Sequence, residues 1–424
     1  MEYERAIAED SLIGLWGFSF DRLVINHGTS DPGLMASLVA DLEERLARLT
    51  GPGVTAVDAR AIEAAALRLA THYRARNESD DVSRVLRLFR GAYEKAAAEE
   101  NPLVAYAWLE RVHGVLVSYN LRVDAEQLAI VLRGYAKKGL GSMSEISVDV
   151  PVPSDKLEEF LKAIFEGSVD EALTRIALRY VPRRTDLEES LKEQADSFPF
   201  QYIFQRSIKD SEGRTAAQVG PLHADMEGHV VHLMSQQLTY VAYFLRNVIE
   251  RMPAIAIEPD VFATFVFRSW LCEEERRELI RRGIADVFAG DYPVAIHILV
   301  PQIEHLVRRA AEAAGVSLYR PAAHGGGVTL KLLDTILRED ALEQAFGADL
   351  LLYLRVLLTD QRGWNVRNTV CHGMMTPSSM GPMVADRLLH LLLILALLTG
   401  ATSGQDTGGS ESSSGESSNE SPQE

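Results

Sequence analysis

Gly290-Asp291-Tyr292-Pro293-Val294-Ala295-Ile296-His297-Ile298-Leu299-Val300-Pro301-Gln302-Ile303-Glu304-His305-Leu306-Val307-Arg308 is the stretch on which the fold turns. Leu299, Ile303, Leu306, Val307 and Ala310 recur at three- and four-residue spacing, so they lay one apolar stripe along a helix. Glu304 and Arg308 are four apart and line the polar edge of that helix, where they can pair. Downstream, the spacing stays helical from Pro259 almost to Gly400. It ends in the run Leu388–Leu398, 11 residues long. A bilayer takes about 20 apolar residues, so the run is expected to be a buried helix rather than a membrane span.

Upstream the same texture continues. A helical pattern runs from about Asp225 to Arg251 and stops at Pro253. Leu34, Leu38, Leu42 and Leu46 stand at four-residue spacing after Pro32-Gly33 and close near Gly51-Pro52-Gly53. Ala56–Arg76, Asp81–Glu99 and Asn101–Tyr119 follow as amphipathic helices joined by short polar breaks. No fixed repeat period links them. Ser142–Pro153 alternates and carries Ile146, Val148, Val150 and Val152, which suits a short strand or an extended crossover. Lys156–Tyr180 is helical again. Between 196 and 222 an aromatic cluster (Phe198, Phe200, Tyr202, Phe204) precedes the polar break Lys209-Asp210-Ser211-Glu212-Gly213-Arg214 and reads as a junction.

These segments predict an all-α chain. An array-like N-terminal helical domain spans 1–195, a junction with a long helix 196–256 and a helical bundle 257–400. The last stretch, 401–424, holds Ser, Gly and Glu with hardly an apolar residue, too little to bury, and is expected to be disordered.

Composition narrows the function. The chain has 424 residues, 47% of them hydrophobic and 24% charged, as in an ordinary globular protein. Met1–Asp10 has acidic residues where a signal peptide would be basic, and only two cysteines occur, Cys272 and Cys371. Both features suit a reducing cytoplasm and exclude a disulfide scaffold or a cysteine zinc cage. The net charge is −17, and five of those charges (Asp406, Glu411, Glu416, Glu420, Glu424) lie in the tail, leaving −12 for the body. A protein that coats nucleic acid is basic, so any contact with RNA here must be local.

Arg-x4-His occurs twice, at Arg22–His27 and Arg367–His372. The first has apolar neighbours and no helical frame leading into it, and reads as coincidence. The second has Asn368 after the arginine and Gly373 after the histidine, between two strongly helical segments. The run Asp360-Gln361-Arg362-Gly363-Trp364-Asn365-Val366-Arg367-Asn368-Thr369-Val370-Cys371-His372-Gly373 resembles the signature of a domain-of-unknown-function family defined by an RNxxxHG motif and placed in the HEPN superfamily. The stretch 290–308 is similar to that family's first core helix. The spacing through Gly325-Gly326-Gly327 and Leu330 to Phe346-Gly347 is similar too. The resemblance covers about 290–398, more weakly Phe198–Gln218, and nothing before 195.

The resemblance implies a HEPN-type bundle acting as a metal-independent endoribonuclease, with Arg367, Asn368 and His372 catalytic and no cofactor. It further implies a homodimer through the C-terminal domain, in which both copies of Arg367 and His372 line one cleft around the RNA substrate. Glu304, on the first core helix, would then hold Arg367 from behind. A bacterial defence, antiviral or toxin–antitoxin setting follows by analogy, with a regulatory partner or antitoxin unidentified. The chemistry is sound on its own terms. Imidazole titrates near neutrality and can move the 2′-OH proton or protonate the 5′-oxygen, and guanidinium binds phosphate in bidentate fashion. Residues five apart on a helix point about 140° from each other, at about 100° per residue. Arg367 and His372 therefore share one cleft only if the helix ends near the histidine, with Gly373 as its cap, or if a second copy supplies the complement. The rival function is a non-catalytic helical RNA-binding or dimerising scaffold.

Other candidates are weaker. His223, Asp225, His229 and His232 can be drawn as metal ligands by spacing, but no cysteine or family pattern joins them. His297 and His305 read as packing or edge residues. Gly325-Gly326-Gly327 lacks the preceding strand and the Gly-Lys-Ser/Thr ending of a phosphate loop, so it reads as a flexible connector before a helical run from Thr329.

Overall fold

The computed structural model describes residues 1–51, 57–144 and 151–398. The chain is 69% helical, with two small antiparallel strand pairs, so the all-α class holds. The expected strand or crossover at 142–153 falls mostly on 145–150, outside the described residues, as does the acidic tail. The chain forms two compact units, one of 1–150 with 206–218, the other of 151–205 with 219–424. The sequence-based segments place the boundary at 195. In the structure the helices after Pro151 share a core with the C-terminal ones instead, and 206–218 belongs to the first unit.

In the first unit, helices α1 (Pro32–Thr50), α2 (Ala59–Ala75), α3 (Ser79–Ala98), α4 (Pro102–Ser118) and α5 (Arg122–Gly141) pack in sequence order. Local chemistry starts them. The Asp31 carboxylate accepts from the Gly33 and Leu34 amides at the head of α1, and Asn101 accepts from the Leu103 amide at the head of α4. Val82, Val85, Leu86, Phe89, Ala92, Tyr93 and Ala97 place the buried stripe of α3 at helical spacing.

Strands β1 (Arg206–Lys209) and β2 (Thr215–Val219) make a hairpin that helical reading missed. Its turn is the polar break 209–214. Gly213 has φ +79° and presses on the Ala136 backbone carbonyl, where a Cβ has no room. The hairpin is tied to α4 by the Tyr106 hydroxyl, which accepts from the Thr215 amide at 3.1 Å, and by Lys209, whose Nζ stands 3.9 Å from the Tyr106 ring centre.

The second unit comprises α6 (Ser154–Ile164), α7 (Val169–Arg179), α8 (Arg184–Ser197), α9 (Met226–Tyr240), α10 (Ala242–Arg251), α11 (Pro259–Val266), α12 (Glu274–Ala289), α13 (Tyr292–Ala313), strands β3 (Tyr319–Pro321) and β4 (Val328–Leu330), α14 (Ala348–Leu358), α15 (Val366–Cys371) and α16 (Pro382–Leu397). The expected helix 225–251 is broken at Val241 into α9 and α10. The expected helical run from Thr329 is strand β4, paired with β3 through the turn at Gly325, Gly326 and Gly327, all with positive φ.

Helix α16 is the core. It packs against α7, α10 and α13, and every residue from Val384 to Ala396 is buried. The covering of this apolar helix thus comes from its own chain. Three polar residues sit within it. Arg387, fully buried, donates to the Leu238 carbonyl in the last turn of α9 at 3.0 Å and to the Tyr180 carbonyl at the end of α7 at 3.5 Å. His390 donates through Nε2 to the Ala177 carbonyl in the last turn of α7 at 3.0 Å, and its Nδ1 accepts from the Tyr353 hydroxyl at 2.8 Å. A helix leaves its last four carbonyls without internal donors, and here two helix ends are satisfied from the middle of a third helix.

Candidate functional site

The signature run is held by its own polar groups before any ligand is considered. Asp360, buried at the end of α14, accepts from the Arg362 amide and guanidinium at 2.8–3.0 Å, and Arg338 stands 3.5 Å away. Burial alone would push the Asp360 carboxyl up, but these guanidiniums and the amide outweigh it and hold it below the usual range. Gly363 follows. Its Cα lies against the Val356 carbonyl with no space for a Cβ, and the next amide, Trp364, donates to that carbonyl at 2.8 Å. The Trp364 indole donates to the Ser235 carbonyl at 3.2 Å. Asn365 then turns the chain into α15 with φ +50°, a conformation that asparagine tolerates.

Helix α15 carries the motif. Arg367 reaches back to α13 and donates through Nε to Glu304 at 2.7 Å and through Nη2 at 3.2 Å. Arg308 donates to the same carboxylate at 2.7 and 2.9 Å, so Glu304 serves both its own-helix partner and the motif arginine. Burial works to raise the Glu304 carboxyl, but the two guanidiniums prevail and hold it below the ordinary carboxylate range. The bond to Glu304 raises Arg367 in turn. Asn368 accepts from Arg367 Nη1 at 3.1 Å and donates to Asn365 Oδ1 at 2.7 Å and to the Thr359 carbonyl at 3.3 Å. It is a clamp between the arginine and the loop.

His372 ends the helix, and Gly373 follows at φ +65°. The Met374 amide donates to Thr369 O at 2.8 Å and the Gly373 amide to Val370 O at 3.0 Å, the paired bonds of a Schellman cap. The cap stops the helix at the histidine and leaves His372 and Cys371 exposed. No hydrogen bond joins Arg367 to His372 among the described residues. The structure therefore brings Arg367, Asn368 and Glu304 together, with Gly373 as the cap, and sets His372 apart at the solvent-facing end.

Among the remaining candidates His229, Asp225, His297 and His305 have partners within the fold, and His223 is exposed. His229 is buried and its Nε2 lies 2.9 Å from the Gly220 carbonyl, while Asp225 accepts from the Gly220 and Gly228 amides. His297 pairs with the Pro293 carbonyl and His305 with Glu273. Among the described residues no three His, Cys, Asp or Glu side chains stand together as a metal site. Both Arg22 and His27 are exposed, with His27 outside any helix. No helix among the described residues is long and apolar enough to cross a membrane.

Sequence reasoning missed Asp386, Arg387 and His390, whose signal was three polar residues inside an otherwise apolar helix. Asp386 is bonded to Arg246 at 3.1 Å, and burial pushes its carboxyl up to about 6. Burial pushes His390 down to about 3. The chain matches no family model, no curated protein and no solved structure.

Proposed function

We propose that the second unit is a HEPN-type, metal-independent endoribonuclease that works as a cytoplasmic homodimer. Its product would be a 2′,3′-cyclic phosphate and a 5′-hydroxyl end. One observation carries this reading. Among the described residues Asp360, Arg362, Trp364, Asn365, Arg367 and Asn368 all have partners in the fold, whereas His372, the one imidazole of the run, is offered to solvent at the capped helix end with no hydrogen bond or ion pair. A side chain that the fold positions by a rigid loop and a helix cap, yet does not use, is available for chemistry.

In the proposed reaction the ribose 2′-oxygen attacks phosphorus while one His372 takes its proton. The 5′-oxygen leaves with a proton from the His372 of the second copy. No water enters this step. Arg367, kept charged and oriented by Glu304 and Asn368, would stabilise the charge gathering on the phosphoryl oxygens. The capped end of α15 and the lack of an Arg367–His372 bond support a composite site, because one copy supplies one imidazole and the step needs an acid and a base.

The second reading is a non-catalytic dimerising or RNA-binding scaffold. It is favoured by the two bonds from Arg367 to Glu304, which already occupy two of the guanidinium's donor nitrogens inside the fold. Subunit mixing separates the two. After exchange with excess His372→Ala protein, specific activity should fall below simple dilution. A sedimenting monomer that still cuts RNA would overturn the composite site. Cleavage should persist in excess EDTA, since imidazole and guanidinium supply every proton and charge invoked. Loss on chelation, restored by zinc or magnesium, would contradict the mechanism.

A further inference from the structure

The first unit contains a cavity of about 650 Å³, in the size range of small-molecule sites. Six side chains decide its chemistry: Arg60, Glu63, Arg68, Tyr93, Trp108 and Arg111. Glu63, on α2, is only 7% exposed. The Tyr93 hydroxyl donates to its Oε2, and Arg111 stands 2.6 Å from Oε1. That contact lacks hydrogen-bond geometry, and Oε1 is a buried oxygen with no donor. A carboxylate offers about four acceptor positions, so Glu63 is a buried acceptor short of N–H groups at the wall of a cavity.

The cations divide in an informative way. Arg68 is spent on Asp21, with two bonds of 2.8 Å. Arg111 faces Glu63. Arg60 is exposed and makes no ion pair among the described residues. It lies one helical turn before Glu63, so the unpaired cation and a carboxylate with one oxygen lacking a hydrogen-bond donor are neighbours on one helix face. Tyr93 and Trp108 stand edge-to-face at 6.1 Å and give the cavity an aromatic wall. A planar ring fits that wall, ring N–H groups fit Glu63 and an attached anion fits Arg60.

We infer that this cavity binds a purine nucleoside phosphate, with Glu63 accepting from N–H groups on the base edge and Arg60 holding the phosphate. The inference is independent of RNA cleavage by the second unit.

Calorimetric titration of the full chain with GMP, AMP and inorganic phosphate tests it. At least one nucleotide should bind with Kd below about 1 mM, and inorganic phosphate at least about tenfold more weakly. Arg60→Ala, an exposed change that leaves the fold intact, should weaken the nucleotide about tenfold or more, the usual scale for one charged contact. Glu63→Gln should weaken the nucleotide while leaving phosphate binding unchanged. Failure of both nucleotides to bind at about 5 mM, five times the Kd expected above, overturns the inference. Equal binding of phosphate alone, or an unchanged Kd in Arg60→Ala, does so too.

Discussion

His390, within α16, and His372, at the end of α15, show what a fold does to a histidine it uses and to one it leaves exposed. His390 sits in the middle of α16, with both ring nitrogens bonded and burial pushing it down to about 3. Its donor and the Arg387 guanidinium close helix ends that would otherwise leave bare carbonyls in the core. His372 sits at the tip of a six-residue helix, exposed, held in place by the backbone alone. Burial and bonding convert a polar side chain into architecture, and without them it stays open to solvent.

Arg387→Ala attacks the architectural side hardest. It removes a large, fully buried side chain and strands the Leu238 and Tyr180 carbonyls, so unfolding free energy should fall by about 3–5 kcal/mol in urea denaturation. A loss under about 1 kcal/mol would show that the helix ends need no such cap.

The pH dependence sharpens the comparison. His390 is about 3 in the folded chain against about 6.5 unfolded. The unfolded chain therefore takes up a proton that the folded one refuses, and stability drops as pH falls below 6.5. Asp386 is about 6 when folded against a model value of 3.8. There the folded chain holds the extra proton, which adds stability fully present below 3.8 and lost as pH rises through 6. Between pH 6 and 3.8 the two slopes oppose. Asp386→Asn should expose the histidine slope, so that over this window the variant loses about 1.4 kcal/mol per pH unit relative to the parent. Parallel curves for variant and parent would refute the pairing.

Much of this was legible in the sequence, for physical reasons. The stripe of α13 has a local period, and local period is what sequence shows. Gly373 next to His372 announced a cap because few residues take positive φ. The bond from Arg367 to Glu304 spans 63 positions and came into view only through the family resemblance. The polar trio of α16 was hidden by its leucines, since its partners at Ala177, Tyr180, Leu238 and Tyr353 share no local pattern with it. Both hairpins were missed because strands of three to five residues give a period-two signal too short to read, although Gly213 and the glycines at 325–327 marked their turns.

Gly373→Ala tests the cap alone. Nothing stands within 4 Å of the added Cβ, so only the φ of +65° resists it, and a melting experiment should show a loss of about 1 kcal/mol. A larger loss would mean that the turn carries more than the cap. His372→Ala should change stability least of all, by under about 0.5 kcal/mol, as for other exposed positions.

That same variant gives the most direct test of the central claim, that His372 is free in the fold because it acts on RNA. Labelled single-stranded RNA would be incubated in EDTA with the parent protein and with His372→Ala, matched for melting temperature, and the product ends identified. The account predicts cleavage to 2′,3′-cyclic phosphate by the parent and a loss of about 10²-fold or more in the variant. Equal cleavage by the two proteins, or none by a correctly folded dimeric parent, would contradict it.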